Sequence, residues 1–326
     1  MRILGKIILV LLLLVVVVAA CGVGYLYLVY PNVPAAPAFK IEPSPERLAR
    51  GQYLSDHVVG CTTCHSQRDW TRYSGLIKPE TLGRGGDKFD LGGAGVVYAK
   101  NITPAAIGSW TDGELLRAVA AGVSRDGTPL FPLMPYPHFG QMSEDDVHAV
   151  LAYIRSLKAI EGAVPDRTLA FPMNLIVRTI PTAAAFQPRP SPDSKVAYGK
   201  YMTDAALCSD CHTPIDDRGQ PLPGRDFVGG MEFIETGYRV RSANITPDAD
   251  TGIGSWTEQQ FIDRFKGFET PSNAELGDAE RRQNTVMPIT MYAGMTREDL
   301  SAIYAYLRTL KPVVNRVNKF PDALAP

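Results

Sequence analysis

Residues 7–30 form an almost unbroken apolar run behind Arg2 and Lys6. A helix over that run is about 36 Å long at roughly 1.5 Å per residue, enough to cross a bilayer with some tilt. Tyr25, Tyr27 and Tyr30 sit at its far end, where an aromatic belt belongs, and the two basic residues mark the cytoplasmic side. Residues 1–30 are therefore expected to be a single-pass transmembrane anchor, with everything after Pro31 on the outer face. Val18-Ala19-Ala20-Cys21 also matches a bacterial lipobox, in which Cys21 would carry the lipid. The apolar run continuing through residues 23–30 favours the spanning helix, and both versions tether the chain outside the membrane.

Residues 31–45 hold five prolines and predict an extended spacer that lifts the body off the membrane. Helical patterns then open at Glu46-Arg47-Leu48-Ala49-Arg50-Gly51 and, far downstream, at Val196-Ala197-Tyr198-Gly199. Gly51 and Gly199 cost helix stability, so their use is to let another helix cross closely. Two later helices carry apolar stripes, Val147/Val150/Leu151/Ile154 and Leu300/Ile303/Tyr304/Leu307, with Ser143 and Thr296 placed to cap them. Thr111…Glu114 and Thr257…Gln260 have capping-box spacing.

These elements come in pairs. Asn101-Ile102-Thr103-Pro104 recurs as Asn244-Ile245-Thr246-Pro247, and Gly108-Ser109-Trp110-Thr111 as Gly254-Ser255-Trp256-Thr257. Met134-Pro135 recurs as Met287-Pro288, and the largest insertion in the second copy falls within residues 269–284. A period this long means a duplicated domain, not a solenoid, whose repeats run roughly 20–50 residues. The expected division is an anchor (1–30), a spacer (31–45), a first domain (46–160), a linker (161–195) and a second domain (196–326). Within the linker, residues 171–177 are too apolar to hang free and are expected to pack against one or both domains.

The candidate chemistry lies in Cys61-Thr62-Thr63-Cys64-His65 and Cys208-Ser209-Asp210-Cys211-His212. Two thiols on one helical turn can each form a thioether with a haem vinyl group, and the adjacent histidine then serves as the proximal iron ligand. A zinc ribbon would pair its two C-x-x-C units across roughly 15–20 residues, and a thioredoxin-like pair has no reason to carry a histidine twice. Two covalently bound haem c groups are expected, through Cys61, Cys64 and His65 and through Cys208, Cys211 and His212.

A low-spin electron-transfer haem needs a sixth ligand, and methionine raises its potential. The three remaining histidines, His57, His138 and His148, have no counterpart in the other copy. Met134 and Met287 do match, so they are the expected axial ligands, with Met291, Met295 and Met142 as fallbacks and gap-filling in the core as the bland alternative. Trp110 and Trp256 could contact a haem or simply fill the core, while Arg68, Arg72, Arg225, Arg239 and Arg241 could pair with propionates.

Composition narrows the rest. With 33 basic against 34 acidic side chains the chain lacks the concentrated positive surface that nucleic acid needs. Four of the five cysteines are in the two motifs and the fifth is Cys21, so the globular part has no thiol left for a disulfide or a catalytic nucleophile.

The opening helix, C-x-x-C-H, Met-Pro loop and closing helix together resemble class I cytochromes c, over about residues 45–158 and again over 195–311. The Asn-Ile-Thr-Pro, Gly-x-x-Trp-Thr and Met-Pro-Tyr-Pro elements are similar to those of membrane-bound multihaem cytochromes c of bacteria, including the cytochrome subunits of periplasmic alcohol and aldehyde dehydrogenases. Those subunits commonly carry three haems, whereas two motifs are present here. The resemblance implies an all-α fold of two tandem cytochrome c domains after the anchor. It also implies an electron carrier at the outer face of the cytoplasmic membrane, with no catalytic residues of its own. The donor would be a periplasmic dehydrogenase or a quinol-oxidising complex, and the acceptor a terminal oxidase or a soluble cytochrome. The rival is a dihaem peroxidase-type enzyme, which needs one open iron with an acid/base group beside it; two Met-Pro loops argue against that.

Overall fold

The computed structural model describes residues 2–217, 219–235 and 238–321; Met1 of the expected anchor and residues 322–326 of the expected second domain lie outside the described residues. The chain is mostly helical, beginning with α1 (Arg2–Val29). Within it, Ile3–Val29 is the one helix among the described residues long and apolar enough to cross a membrane, and it is largely exposed along its length.

The first half runs through α2 (Pro45–His57), α3 (Cys61–Cys64), strands β1 (Arg68–Asp69), β2 (Leu76–Ile77), β3 (Lys88–Asp90) and β4 (Gly95–Tyr98), then α4 (Pro104–Ile107), α5 (Asp112–Ala121), α6 (Tyr136–Phe139) and α7 (Glu144–Ser156). β5 (Thr168–Leu169) and α8 (Met173–Ile176) follow. The second half comprises α9 (Lys195–Ala205), α10 (Cys208–His212), β6 (Glu232–Glu235), β7 (Tyr238–Arg241), α11 (Glu258–Lys266), α12 (Asp278–Arg281), α13 (Ile289–Tyr292) and α14 (Arg297–Leu307).

Helix starts fall where the sequence places them. Thr111 and Thr257 form full capping boxes with Glu114 and Gln260, and Ser143 and Thr296 accept from the amides of Asp146 and Asp299. α2 packs on α7, and α9 on α14. The two glycines allow this: a Cβ at Gly51 would lie 1.9 Å from the Ala149 carbonyl oxygen, and one at Gly199 would lie 1.8 Å from that of Ala302. Around each crossing Leu54, Val147 and Leu151, and Met202, Leu300 and Leu307, are fully buried. Each such side chain contributes roughly 1.5–3 kcal/mol of hydrophobic stabilisation.

An all-helical chain was expected, and here the structure adds three small antiparallel sheets: β1–β2, β3–β4–β5 and β6–β7. They lie in the long segments after His65 and His212 and in the linker, where glycines interrupt helical periodicity and buried backbone groups still need partners. One further expectation changes and another holds in part. The proline-rich spacer is extended but lies on the first half: the Ile41 amide donates to Asp112 (2.7 Å), Phe39 stacks on His148, and the Pro37 carbonyl fills the space beside Gly113. The linker is tied to the first half as well, through the β4–β5 pairing, the Ala185 amide to the Gly140 carbonyl (2.8 Å) and an Arg189–Asp146 ion pair (2.7 Å). Of its apolar stretch, however, Val177 is buried while Phe171 is 79% exposed and Ile176 44% exposed.

The halves also cross-brace each other. Tyr201, from α9, donates to Asp146 (2.7 Å) and accepts from the Ser143 amide (3.2 Å) at the start of α7. Tyr53, from α2, donates to Asp299 and accepts from the Thr296 amide (3.1 Å) at the start of α14. Each opening helix thus caps the closing helix of the opposite half.

Candidate haem sites

Both C-x-x-C-H motifs begin on a left-handed residue, Gly60 (φ 71°) and Leu207 (φ 57°), and wind into a single helical turn. That turn brings the two thiols of each motif onto one side. Burial pushes the Cys61 and Cys208 thiols up to about 12 and the Cys211 thiol up to about 11. Asp210 and then Cys64 add to the shift at Cys211, so the first motif lies within electrostatic reach of the second.

The histidines are held alike. His65 Nδ1 donates to the Lys100 carbonyl at 2.7 Å, and His212 Nδ1 donates to the Ala243 carbonyl at 2.7 Å. This fixes the tautomer and leaves each Nε2 lone pair free to bind a metal. Burial lowers both pKa values below the ordinary histidine value, with the hydrogen bond to the carbonyl opposing, a shift toward the neutral form that a ligand must take. The donor chemistry fits a c-type haem in both motifs.

The accepting carbonyls directly precede the repeated Asn-Ile-Thr-Pro elements, and the structure shows what those elements do. Asn101 accepts from the amide and hydroxyl of Thr103 (2.9 and 2.8 Å) and donates to the Ile160 carbonyl (2.9 Å) just beyond α7. Asn244 makes the same bonds to Thr246 (3.0 and 2.8 Å) and the Val313 carbonyl (2.9 Å), plus one to Thr251 (3.0 Å). A second device escaped the sequence reading. The amides of Gly85 and Gly229 donate to the carbonyls of His65 and His212, each at 2.7 Å. Both glycines have positive φ (71° and 68°), and a Cβ there would meet the Ala99 or Ala243 carbonyl oxygen within 2.4 Å. Gly85-Gly86 recurring as Gly229-Gly230 was the available signal.

Met134 and Met287 are half-buried in matched loops. In each, the methionine carbonyl accepts from the amide two residues on, Tyr136 (2.8 Å) or Ile289 (2.7 Å), and a short helix follows the proline. Met142 and Met295 are buried core residues, and Met291 reaches the other half, its Sδ filling the space beside Gly60. His138 pairs with Asp210 inside the second motif (2.9 Å), His57 packs against Gly294, and His148 stacks on Phe39. Trp110 and Trp256 pack at the core's edge. Arg68 is bound to the Ser74 and Gly75 carbonyls, Arg72 to Asp69, and Arg239 and Arg241 to Glu232; among the described residues Arg225 alone of the five has no side-chain partner.

Each motif also receives a contact from the opposite half. α6 carries His138 to Asp210, and α13 carries Met291 to Gly60. Tyr292 hydrogen-bonds the Ala206 carbonyl (2.6 Å), and its hydroxyl is raised well above the usual value by burial and then by Cys208, Cys211 and Cys64. It therefore lies within electrostatic reach of thiols from both motifs.

No protein-family profile matches the chain. Among characterised proteins it is 29% identical over 283 residues to the cytochrome c subunit of a quinone alcohol dehydrogenase from Gluconacetobacter polyoxogenes, an alignment covering 81% of this chain and 56% of that one. It is 29% identical over 305 residues to the fructose dehydrogenase cytochrome subunit of Gluconobacter japonicus, covering 87% and 57%. This chain is a relative of cytochrome c subunits. A dihaem cytochrome c-type protein of Cereibacter sphaeroides is 24% identical over 265 residues, covering 78% of this chain and 83% of its own. The chain spans about half the length of the two dehydrogenase subunits it matches.

Proposed function

We propose that this protein is a membrane-anchored dihaem cytochrome c of two tandem cytochrome c domains, which accepts electrons from a periplasmic dehydrogenase or quinol-oxidising complex and passes them to a terminal oxidase or soluble cytochrome. The observation that carries it is the twinned histidine: both rings are aimed by Nδ1 at a backbone carbonyl that directly precedes an Asn-Ile-Thr-Pro loop. Bound haem iron would supply the one-electron couple. The chain's own work is then to fix the ligands and keep water from them. Cys61, Cys64, Cys208 and Cys211 would anchor the two groups; His65 with Met134, and His212 with Met287, would complete the iron coordination. Arg225, whose guanidinium has no partner among the described residues, would be placed to pair with a propionate. The contacts of His138 with Asp210 and of Met291 with Gly60, each reaching the motif of the opposite half, favour transfer between the sites within one chain. α1 serves as the anchor in the inner membrane with the body on the periplasmic side, and the relatives' names favour a role as the non-catalytic subunit of a dehydrogenase.

The test is ligand access. In the oxidised protein a weak absorption at the long-wavelength end of the visible range reports iron–thioether bonding, and Met134→Ala and Met287→Ala should each remove about half of it. Carbon monoxide should bind each reduced single variant and hardly bind the parent. A parent protein that binds carbon monoxide and turns over peroxide would mean an open iron, and the peroxidase-type reading would replace this one.

A further inference from the structure

The last turn of α1 is bolted to the body by one side chain. Arg178 donates to the carbonyls of Leu26 (3.3 Å), Tyr27 (3.4 Å) and Tyr30 (2.6 Å), and its guanidinium lies 4.4 Å from the centroid of the Tyr27 ring. The Leu26 carbonyl also accepts from the Tyr30 amide (3.1 Å), while the Tyr27 carbonyl is one that a helix C-terminus leaves without an amide partner; this end carries the helix's negative partial charge, so a cation is well placed there. Tyr25 and Tyr30 make an edge-on ring pair at the same level (6.3 Å). The segment just ahead of Arg178 is therefore held where the chain leaves the apolar span.

That segment is apolar and uncovered. Phe171, two residues before the short α8, is 79% exposed and Ile176, its last residue, 44% exposed, whereas Val177 turns inward at 1%. Outside α1, Phe171 is the most exposed large apolar side chain among the described residues. The spacer does not lift the body away from this level, because Phe39 and Ile41 are packed onto the first half.

We infer that residues 171–176 are a second membrane contact: Phe171 and Ile176 enter the outer-leaflet interface of the bilayer that α1 crosses. The inference rests on the anchoring role of α1 proposed above. Lipid is the occupant because Ile176 lies two residues from Arg178, whose side chain is bonded to the end of the apolar span at Tyr27 and Tyr30. Apolar side chains on a short surface segment bind at the boundary of headgroups and acyl chains in this way. A single spanning helix lets a body swivel; a helix plus an interfacial segment fixes its orientation. The two haem sites would then face partners in the membrane plane from one set direction.

The full-length holoprotein is reconstituted in vesicles of phosphatidylcholine and phosphatidylglycerol, with Leu12, Phe171 or Ile176 replaced one at a time by photoreactive benzoylphenylalanine. After illumination, lipid adducts are identified by mass spectrometry. Adducts are expected at all three positions. Arg178→Gln should lower the yield at position 171 by about threefold or more and leave position 12 unchanged. Adducts at position 12 but not at 171 or 176 would overturn the inference while the anchor stands. Crosslinks from 171 to another protein chain in place of lipid would overturn it too. Without adducts at position 12, the anchoring role itself falls and takes this inference with it.

Discussion

Replacing Asn244 with alanine should weaken the second site more than the corresponding change at Asn101 weakens the first. Asn244 makes four side-chain hydrogen bonds, to the Thr246 amide and hydroxyl, the Val313 carbonyl and the Thr251 hydroxyl. Asn101 makes the first three equivalents only. Both asparagines are buried, at 4% and 7% exposure, so water does not replace what is lost. At a net of roughly 1 kcal/mol per bond, with part of the loss recovered because the Thr246 hydroxyl keeps its bond to Val313, Asn244→Ala should cost about 3 kcal/mol and Asn101→Ala about 2 kcal/mol. At about 3–4 °C per kcal/mol, the melting midpoint should fall by about 10 °C and about 7 °C. The assay is thermal unfolding of the purified holoprotein followed by far-ultraviolet circular dichroism. The same loops hold the carbonyls that aim His65 and His212, so each variant should also shift the reduction potential of its own site and leave the other unmoved. Falls under about 2 °C, or a larger fall for Asn101→Ala, would refute the hydrogen-bond reasoning.

Three further outcomes follow from the packing. Gly51→Ala and Gly199→Ala put a methyl group into the Ala149 or Ala302 carbonyl, so each should lose about 3 kcal/mol or fail to accumulate; a loss below about 1 kcal/mol in chemical denaturation would mean that the helices do not cross as closely as described. Tyr201→Phe and Tyr53→Phe should each cost about 1–2 kcal/mol, since each strips a hydroxyl from the cap of the opposite closing helix, and unchanged midpoints would contradict that bracing. The His138 pKa is raised from 6.5, first by its hydrogen bond to Asp210, with burial opposing and the charges of Asp210 and Asp204 adding. A raised histidine stabilises fully below its unfolded value and loses that contribution as pH rises through the folded one. The melting midpoint should therefore decline with rising pH above about 6.5 in the parent and less so in His138→Gln, and equal slopes would remove the pair from the account.

What the sequence made legible was local. Capping residues, apolar stripes and the two crossing glycines act within a turn or two, so Thr111, Ser143, Gly51 and their counterparts could be read directly. The strands could not: β1, β2 and β5 are two residues each, too short for any alternation, and their pairing is decided by neighbours far along the chain. The two C-x-x-C-H motifs were legible because the attachment chemistry proposed for them demands a fixed spacing. Their support was only half legible. The Asn-Ile-Thr-Pro repeat was visible without its purpose, which is to hold the carbonyl that receives the histidine proton. The reciprocal tyrosine caps and the His138–Asp210 pair join residues from opposite halves, and nothing local marks them. The proline-rich spacer was misjudged, and the linker packs on the first half as expected but leaves Phe171 and Ile176 exposed, because composition gives the stiffness of a segment but not which of its side chains the surface covers.

The central claim is that both motifs carry covalently attached haem. The intact mass of the acid-denatured, full-length protein, taken from a host that matures c-type cytochromes, addresses it directly. The account predicts a mass above the polypeptide by two haem groups, and an excess of one haem after Cys61→Ala with Cys64→Ala, or after Cys208→Ala with Cys211→Ala. A parent protein carrying one haem, none, or zinc in place of iron would contradict it.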